Sequence, residues 1–246
     1  MWTRPRYPSA ETAITCKHCG KEAPFLSETL GLCLDCIRRD FHEVSPIVEQ
    51  VHREARKPFH LPGQPPKDEG GAECSLCVNG CRVAPGNRSY CGLRVNNDGR
   101  LEGATADKAN VSWYFDPLPT NCVAGWICPG GTGLRYPEFA YTQGPEYGYK
   151  SLAVFYQACS FDCLFCQNWH YRRLARNEDW VSASRLADQL DDHTSCICYF
   201  GGDPTPQLAH SIRTSRLALE RNKGRILRIC WETNGSMHPG LLKQAA

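Results

Sequence analysis

Cys159, Cys163 and Cys166 stand in the run ACSFDCLFCQNW with C-x3-C-x2-C spacing, directly after the apolar run Ser151–Tyr156. Three thiolates on one short loop can hold three irons of a 4Fe–4S cluster and leave the fourth iron with open coordination positions. Thiolates are the usual iron–sulfur ligands, and an open position separates a catalytic metal site from a closed structural one. The competing reading of the same residues is a zinc site, with His170, four residues after Cys166, as its fourth ligand. Cys16, Cys19, Cys33 and Cys36 form C-x2-C…C-x2-C with 13 residues between the pairs, a zinc-ribbon-like spacing. Four such thiolates give a closed tetrahedral site that stabilises a fold too small for its own core. A rubredoxin-like iron site and His18 as an alternative ligand compete with it. Cys74, Cys77, Cys81 and Cys91 form a third group, which suits a second iron–sulfur cluster or a zinc ion equally well. Cys122 and Cys128 either belong to another site or are small buried hydrophobes, and Cys196, Cys198 and Cys230 are read as core packing.

The rest of the composition is ordinary. The chain has 246 residues, 41% of them hydrophobic and 22% charged, as in a globular protein of one or two domains. A net charge of +2 gives no reason to expect nucleic acid or an anionic membrane as partner. No apolar run reaches the roughly 18 residues of a membrane span, and the N-terminus lacks the apolar core of a signal peptide. A cytoplasmic location is expected. Ten of the sixteen cysteines fall in tight C-x2-C or C-x3-C groups, which suit metals better than disulfides.

Residues 1–60 divide into the zinc-ribbon-like knuckles and a helix expected after Pro46. Residues 61–71 (LPGQPPKDEGG) read as a linker. Residues 72–150 show little periodicity and are expected to be irregular, held by metal or by packing. From residue 151 the pattern becomes α/β. SLAVFY, CICYF at 196–200 and ILRICW at 226–231 read as strands, with helices expected from Ser182 to Leu190 and from Pro206 to Asn222. Such alternation predicts parallel βαβ units. The polar motifs fall just after the strand C-termini, the face that carries the chemistry in barrel and open α/β folds.

Two of those motifs matter. Gly201-Gly202-Asp203-Pro204 ends the second strand, where glycines let the backbone approach a ligand closely because no Cβ intervenes; as a turn capped by Asp it needs no ligand. Glu232-Thr233-Asn234-Gly235 ends the third strand, and Asn-Gly is in itself a good turn. Taken in order, the cluster loop, GGDP and ETNG resemble the radical S-adenosylmethionine (SAM) superfamily, and within it the pyruvate formate-lyase activating enzyme-like branch, over roughly residues 72–246. The resemblance implies a partial (β/α)6 barrel. It implies a 4Fe–4S cluster on Cys159, Cys163 and Cys166, and Phe165 near the adenine of SAM. Gly201, Gly202 and Asp203 would meet the SAM amino group through backbone and carboxylate, although Glu is commoner than Asp at position 203. Glu232, Thr233 and Asn234 would line the SAM pocket. The Cys74–Cys91 group resembles a segment upstream of the radical motif in some members of the branch.

The activity implied is reductive cleavage of SAM to a 5′-deoxyadenosyl radical, fed by a low-potential donor of the flavodoxin or ferredoxin type. The substrate would be a partner protein's glycine or a small molecule. Only three βα units fit between Ser151 and Ala246, so the chain is expected to hold the N-terminal half of the barrel, truncated or completed by another polypeptide. The alternatives are a truncated, inactive iron–sulfur or zinc-binding fragment, or an electron-transfer or adaptor protein acting through residues 1–100.

Overall fold

A computed structural model describes residues 14–23, 26–120 and 122–245. The chain divides into two compact units, Met1–Gln64 and Pro65–Ala246. In the first, a short hairpin of β1 (Ile14–Thr15) and β2 (Glu22–Ala23) precedes α1 (Leu34–Arg39) and α2 (Phe41–Arg56). The helix expected to follow Pro46 starts five residues before it, with the proline inside. Proline supplies no N–H to the carbonyl four residues back; here the Ser45 hydroxyl donates to that carbonyl, His42 O, at 3.3 Å. The core of this unit is Leu26, Leu32, Val44 and three cysteines, Cys16, Cys33 and Cys36.

The second unit opens with two antiparallel hairpins, β3 (Ala72–Cys74) with β4 (Cys81–Val83) and β5 (Arg94–Asn97) with β6 (Arg100–Gly103). There follow β7 (Lys108–Pro117), α3 (Pro129–Thr132), β8 (Lys150–Tyr156), α4 (Tyr171–Leu174), β9 (Trp180–Ser182) and α5 (Ala183–Ala187). The chain continues through β10 (Thr194–Gly201), α6 (Leu208–Arg221), β11 (Arg228–Trp231) and α7 (Pro239–Ala245). The Ser182 hydroxyl caps α5 by accepting the Arg185 N–H at 3.1 Å.

One five-stranded sheet, in the order β11-β10-β8-β7-β9, organises this unit. The strands expected from sequence, β8, β10 and β11, pair in parallel. The segment expected to be irregular supplies the ten-residue β7, which runs antiparallel along β8 from Val111↔Tyr156 to Pro117↔Lys150. The described residues therefore form an open mixed sheet rather than parallel strands alone. Side chains alternate across it. Leu152, Val154, Tyr156, Ile197 and Tyr199 face α5 and α6 in the main core, with Leu186, Ala187 and Ala218 from the helices. The other face carries Ala153, Phe155, Cys196, Cys198 and Cys230. No described helix is long and apolar enough to cross a membrane.

Candidate functional site

The exits of β8, β10 and β11 lie side by side, and their loops are joined through one carboxylate. Asp203 is 3% exposed. Its Oδ1 accepts the Thr233 hydroxyl at 2.7 Å and the Asn234 N–H at 3.1 Å, and its Oδ2 accepts the Ser160 hydroxyl and the Thr205 N–H, each at 3.2 Å. An ionised carboxylate has about four lone-pair sites, and all four are used within the chain. Burial pushes the Asp203 carboxyl above its ordinary value, against the pull of these donors. Through these four bonds the Asp203 side chain clamps all three motif loops.

The glycines before it are also required by the chain's own packing. A Cβ on Gly202 would lie 2.3 Å from Ala158 O, and one on Gly201 2.6 Å from Tyr156 N, where the φ of +113° already excludes other residues. The N–H groups of Gly202 and Asp203 donate to Tyr156 O and Ala158 O at 2.9 and 2.8 Å. Ser160 adds a second tie: its hydroxyl accepts Asn234 Nδ2 at 2.9 Å and bonds Ser236 at 2.7 Å. Ser160, Thr205 and Ser236 escaped the sequence reading, because small hydroxyl residues in loops carry no spacing signal.

Cys159 is buried, Cys166 half-buried and Cys163 exposed. Cys159 Sγ accepts the Phe161 N–H at 3.3 Å and lies 3.9 Å from Asn234 Nδ2, and burial pushes its thiol up to about 12. An ion pair of 2.6 Å between Asp162 and Arg172 of α4 fixes the loop, as does the Tyr171 hydroxyl on Phe161 O at 3.2 Å. Phe165 is 91% exposed at its tip. His170 stacks on Phe155 with centroids 5.1 Å apart. Cys159, Cys163, Cys166 and His170 do not bring their ligand atoms together within 4.8 Å, as four cysteines of the first unit do. One zinc ion, whose sulfur ligands stand about 3.8 Å apart, fits that triplet poorly.

Cys16, Cys19, Cys33 and Cys36 gather their sulfurs within 4.8 Å of one another and can hold a metal ion. The Cys19 and Cys33 amides hold the Cys16 thiol down to about 6, the Cys33 N–H donating at 3.2 Å. His18 stands beside them, 3.5 Å from Glu43. Cys74 and Cys81 are paired across β3 and β4, but the Cys74, Cys77, Cys81 and Cys91 sulfurs do not converge to within 4.8 Å. Their loop lies against the exit of β11: Val78 N–H donates to Ser236 O and His238 N–H to Leu76 O, both at 2.9 Å.

Glu232 separates from its neighbours Thr233 and Asn234. It lies on the sheet face opposite α5 and α6, where the Cys122 and Cys198 thiols approach its Oε1 at 3.5 and 3.7 Å. Cys122, Cys128, Cys198 and Cys230 are half-buried rather than packed in the core; Cys196 alone of that set is buried. At the start of the same strands Glu146, fully buried, forms a bidentate pair with Arg228 at 2.9 and 2.5 Å. Burial opposes that charge, but the guanidinium, the Tyr141 N–H and the Ser195 hydroxyl outweigh it and hold Glu146 below its ordinary value.

With this geometry in view, the comparisons bear on the sheet. The family model described as the radical SAM superfamily matches residues 153–246. That stretch begins within β8 and contains the cysteine triplet, GGDP and ETNG. An uncharacterized protein of Methanocaldococcus jannaschii is 25% identical over 93 residues, which cover 34% of this chain and 26% of the relative. The chain thus corresponds to about a quarter of that relative's length. No solved structure matches. The match is to a family that works with SAM and an iron–sulfur cluster.

Proposed function

We propose that this protein is a radical SAM enzyme of the pyruvate formate-lyase activating enzyme kind, with the cluster on Cys159, Cys163 and Cys166. When bound, the cluster and SAM supply a 5′-deoxyadenosyl radical through one-electron cleavage of the sulfonium. The remainder is done by this chain's own residues. The observation that carries the reading is the Asp203 clamp, whose four donors come from the loops after β8, β10 and β11. It holds the cysteine loop, GGDP and ETNG as one rigid rim, and such preorganisation at strand C-termini is what positions a cofactor against its substrate. Asn234, bonded to Ser160 and near the Cys159 sulfur, fixes the buried ligand. Cys163 and Phe165 are exposed at the rim, on the side open to SAM.

The first unit is proposed to be a zinc ribbon, on the closed set of Cys16, Cys19, Cys33 and Cys36. The electron donor is proposed to be of the flavodoxin or ferredoxin type, and the substrate either a glycine in a partner protein or a small molecule.

The test is anaerobic reconstitution with iron and sulfide, reduction with dithionite, addition of SAM and assay for 5′-deoxyadenosine. Product is expected from the unsubstituted chain and none from Cys163→Ala. A cluster that forms while no SAM is cleaved rules out the enzymatic reading for this chain.

A further inference from the structure

The sheet face opposite α5 and α6 carries a thiol group that neither the SAM site nor the first unit uses. On β10, Ile197 and Tyr199 enter the helix-side core, so Cys196 and Cys198 point the other way. Cys198 pairs in register with Cys230 on β11. The loop between β7 and α3 lies over the same face: Cys122 reaches Glu232, and Gly130, two residues after Cys128, stands against the Arg228 side chain of β11. Cys122 and Cys198 each reach the same oxygen of Glu232, at 3.5 and 3.7 Å. Packing alone is a poor account. Four of the five cysteines are half-buried, and a carboxylate is turned in among them.

We propose that Cys122, Cys128, Cys198 and Cys230 bind a second iron–sulfur cluster on the sheet face opposite α5 and α6, with Glu232 beside it. Thiolates in this number are iron–sulfur ligands. The sulfurs are not gathered within 4.8 Å as those of Cys16, Cys19, Cys33 and Cys36 are, so the arrangement is not that of a single zinc ion, whose sulfur ligands stand about 3.8 Å apart. Cys196 is left out of the ligand set because it is buried at the far end of the row, level with Ser151. The buried Glu146–Arg228 pair closes the sheet face on that side, next to Cys196.

This cluster does not depend on the SAM reading, and its test separates the two. The full chain carrying Cys159→Ala, Cys163→Ala and Cys166→Ala is reconstituted anaerobically, and iron, acid-labile sulfide and zinc are measured. Adding Cys198→Ala, or separately Cys122→Ser, is expected to remove about four irons and four sulfides per chain, while adding Cys196→Ala removes none. Cys122 lies on a loop, so its replacement leaves the sheet intact. Iron and sulfide unchanged in either variant would overturn the proposal, as would loss of zinc in place of iron, or a loss confined to Cys198→Ala. Failure of SAM cleavage in the unsubstituted chain has no bearing on the outcome.

Discussion

Asp203 is the residue on which the strand-end rim depends. Its carboxylate is buried and accepts from four groups on three loops. Leaving buried donors unmade costs roughly 1–3 kcal/mol each, and the hydroxyls can turn elsewhere, so Asp203→Ala is expected to lose about 3 kcal/mol. Urea unfolding would read this as a lower midpoint with an unchanged slope. Asp203→Glu, one methylene longer, is expected to retain part of it. The set of Cys16, Cys19, Cys33 and Cys36 was legible in the sequence because ligand spacing within each knuckle is a local property of the chain. The clamp was not: Ser160, Asp203 and Thr233 meet only through the register of β8, β10 and β11. Glu232 shows the same limit. The alternation of side chains along β11 turns it towards the Cys122 and Cys198 thiols.

At the scale of elements, β8, β10, β11 and α6 were readable from their apolar runs and periodicity. β7 carried an equally plain signal: Ala109, Val111, Trp113 and Phe115 alternate with polar residues and Tyr114. What the sequence lacked was its partner, since antiparallel pairing with β8 spans a long loop. The helix α6 is fastened to β8 through the Tyr156 hydroxyl and His210 Nδ1, 2.9 Å apart. Burial lowers the His210 pKa from 6.5 to about 4. The unfolded chain therefore takes up a proton that the fold refuses. The stabilisation is complete above pH 6.5 and is lost as the pH falls to about 4, amounting to about 3 kcal/mol. Denaturant midpoints measured between those limits should fall with pH in the unsubstituted protein and do so less steeply in His210→Gln. In the first unit, half of the buried core consists of Cys16, Cys33 and Cys36 themselves. Chelating the metal is expected to unfold that unit, seen as loss of amide protection across residues 26–64; protection that survives chelation would argue against a structural metal.

At the scale of the whole molecule, sixteen cysteines fall into distinct sets without a single disulfide. One set closes tightly enough for a single ion. Another sits on a rim held by Asp203, and a third lies on the sheet face opposite α5 and α6. On the proposed function, this is a metalloprotein with its chemistry at the strand C-termini. The central claim is that the iron not held by Cys159, Cys163 or Cys166 is free to take SAM. Electron paramagnetic resonance of the dithionite-reduced, reconstituted protein tests it most directly. Addition of SAM is expected to change the signal of the reduced cluster, and that response should vanish when all three cysteines are replaced by alanine. A spectrum indifferent to SAM in the unsubstituted protein would contradict the account.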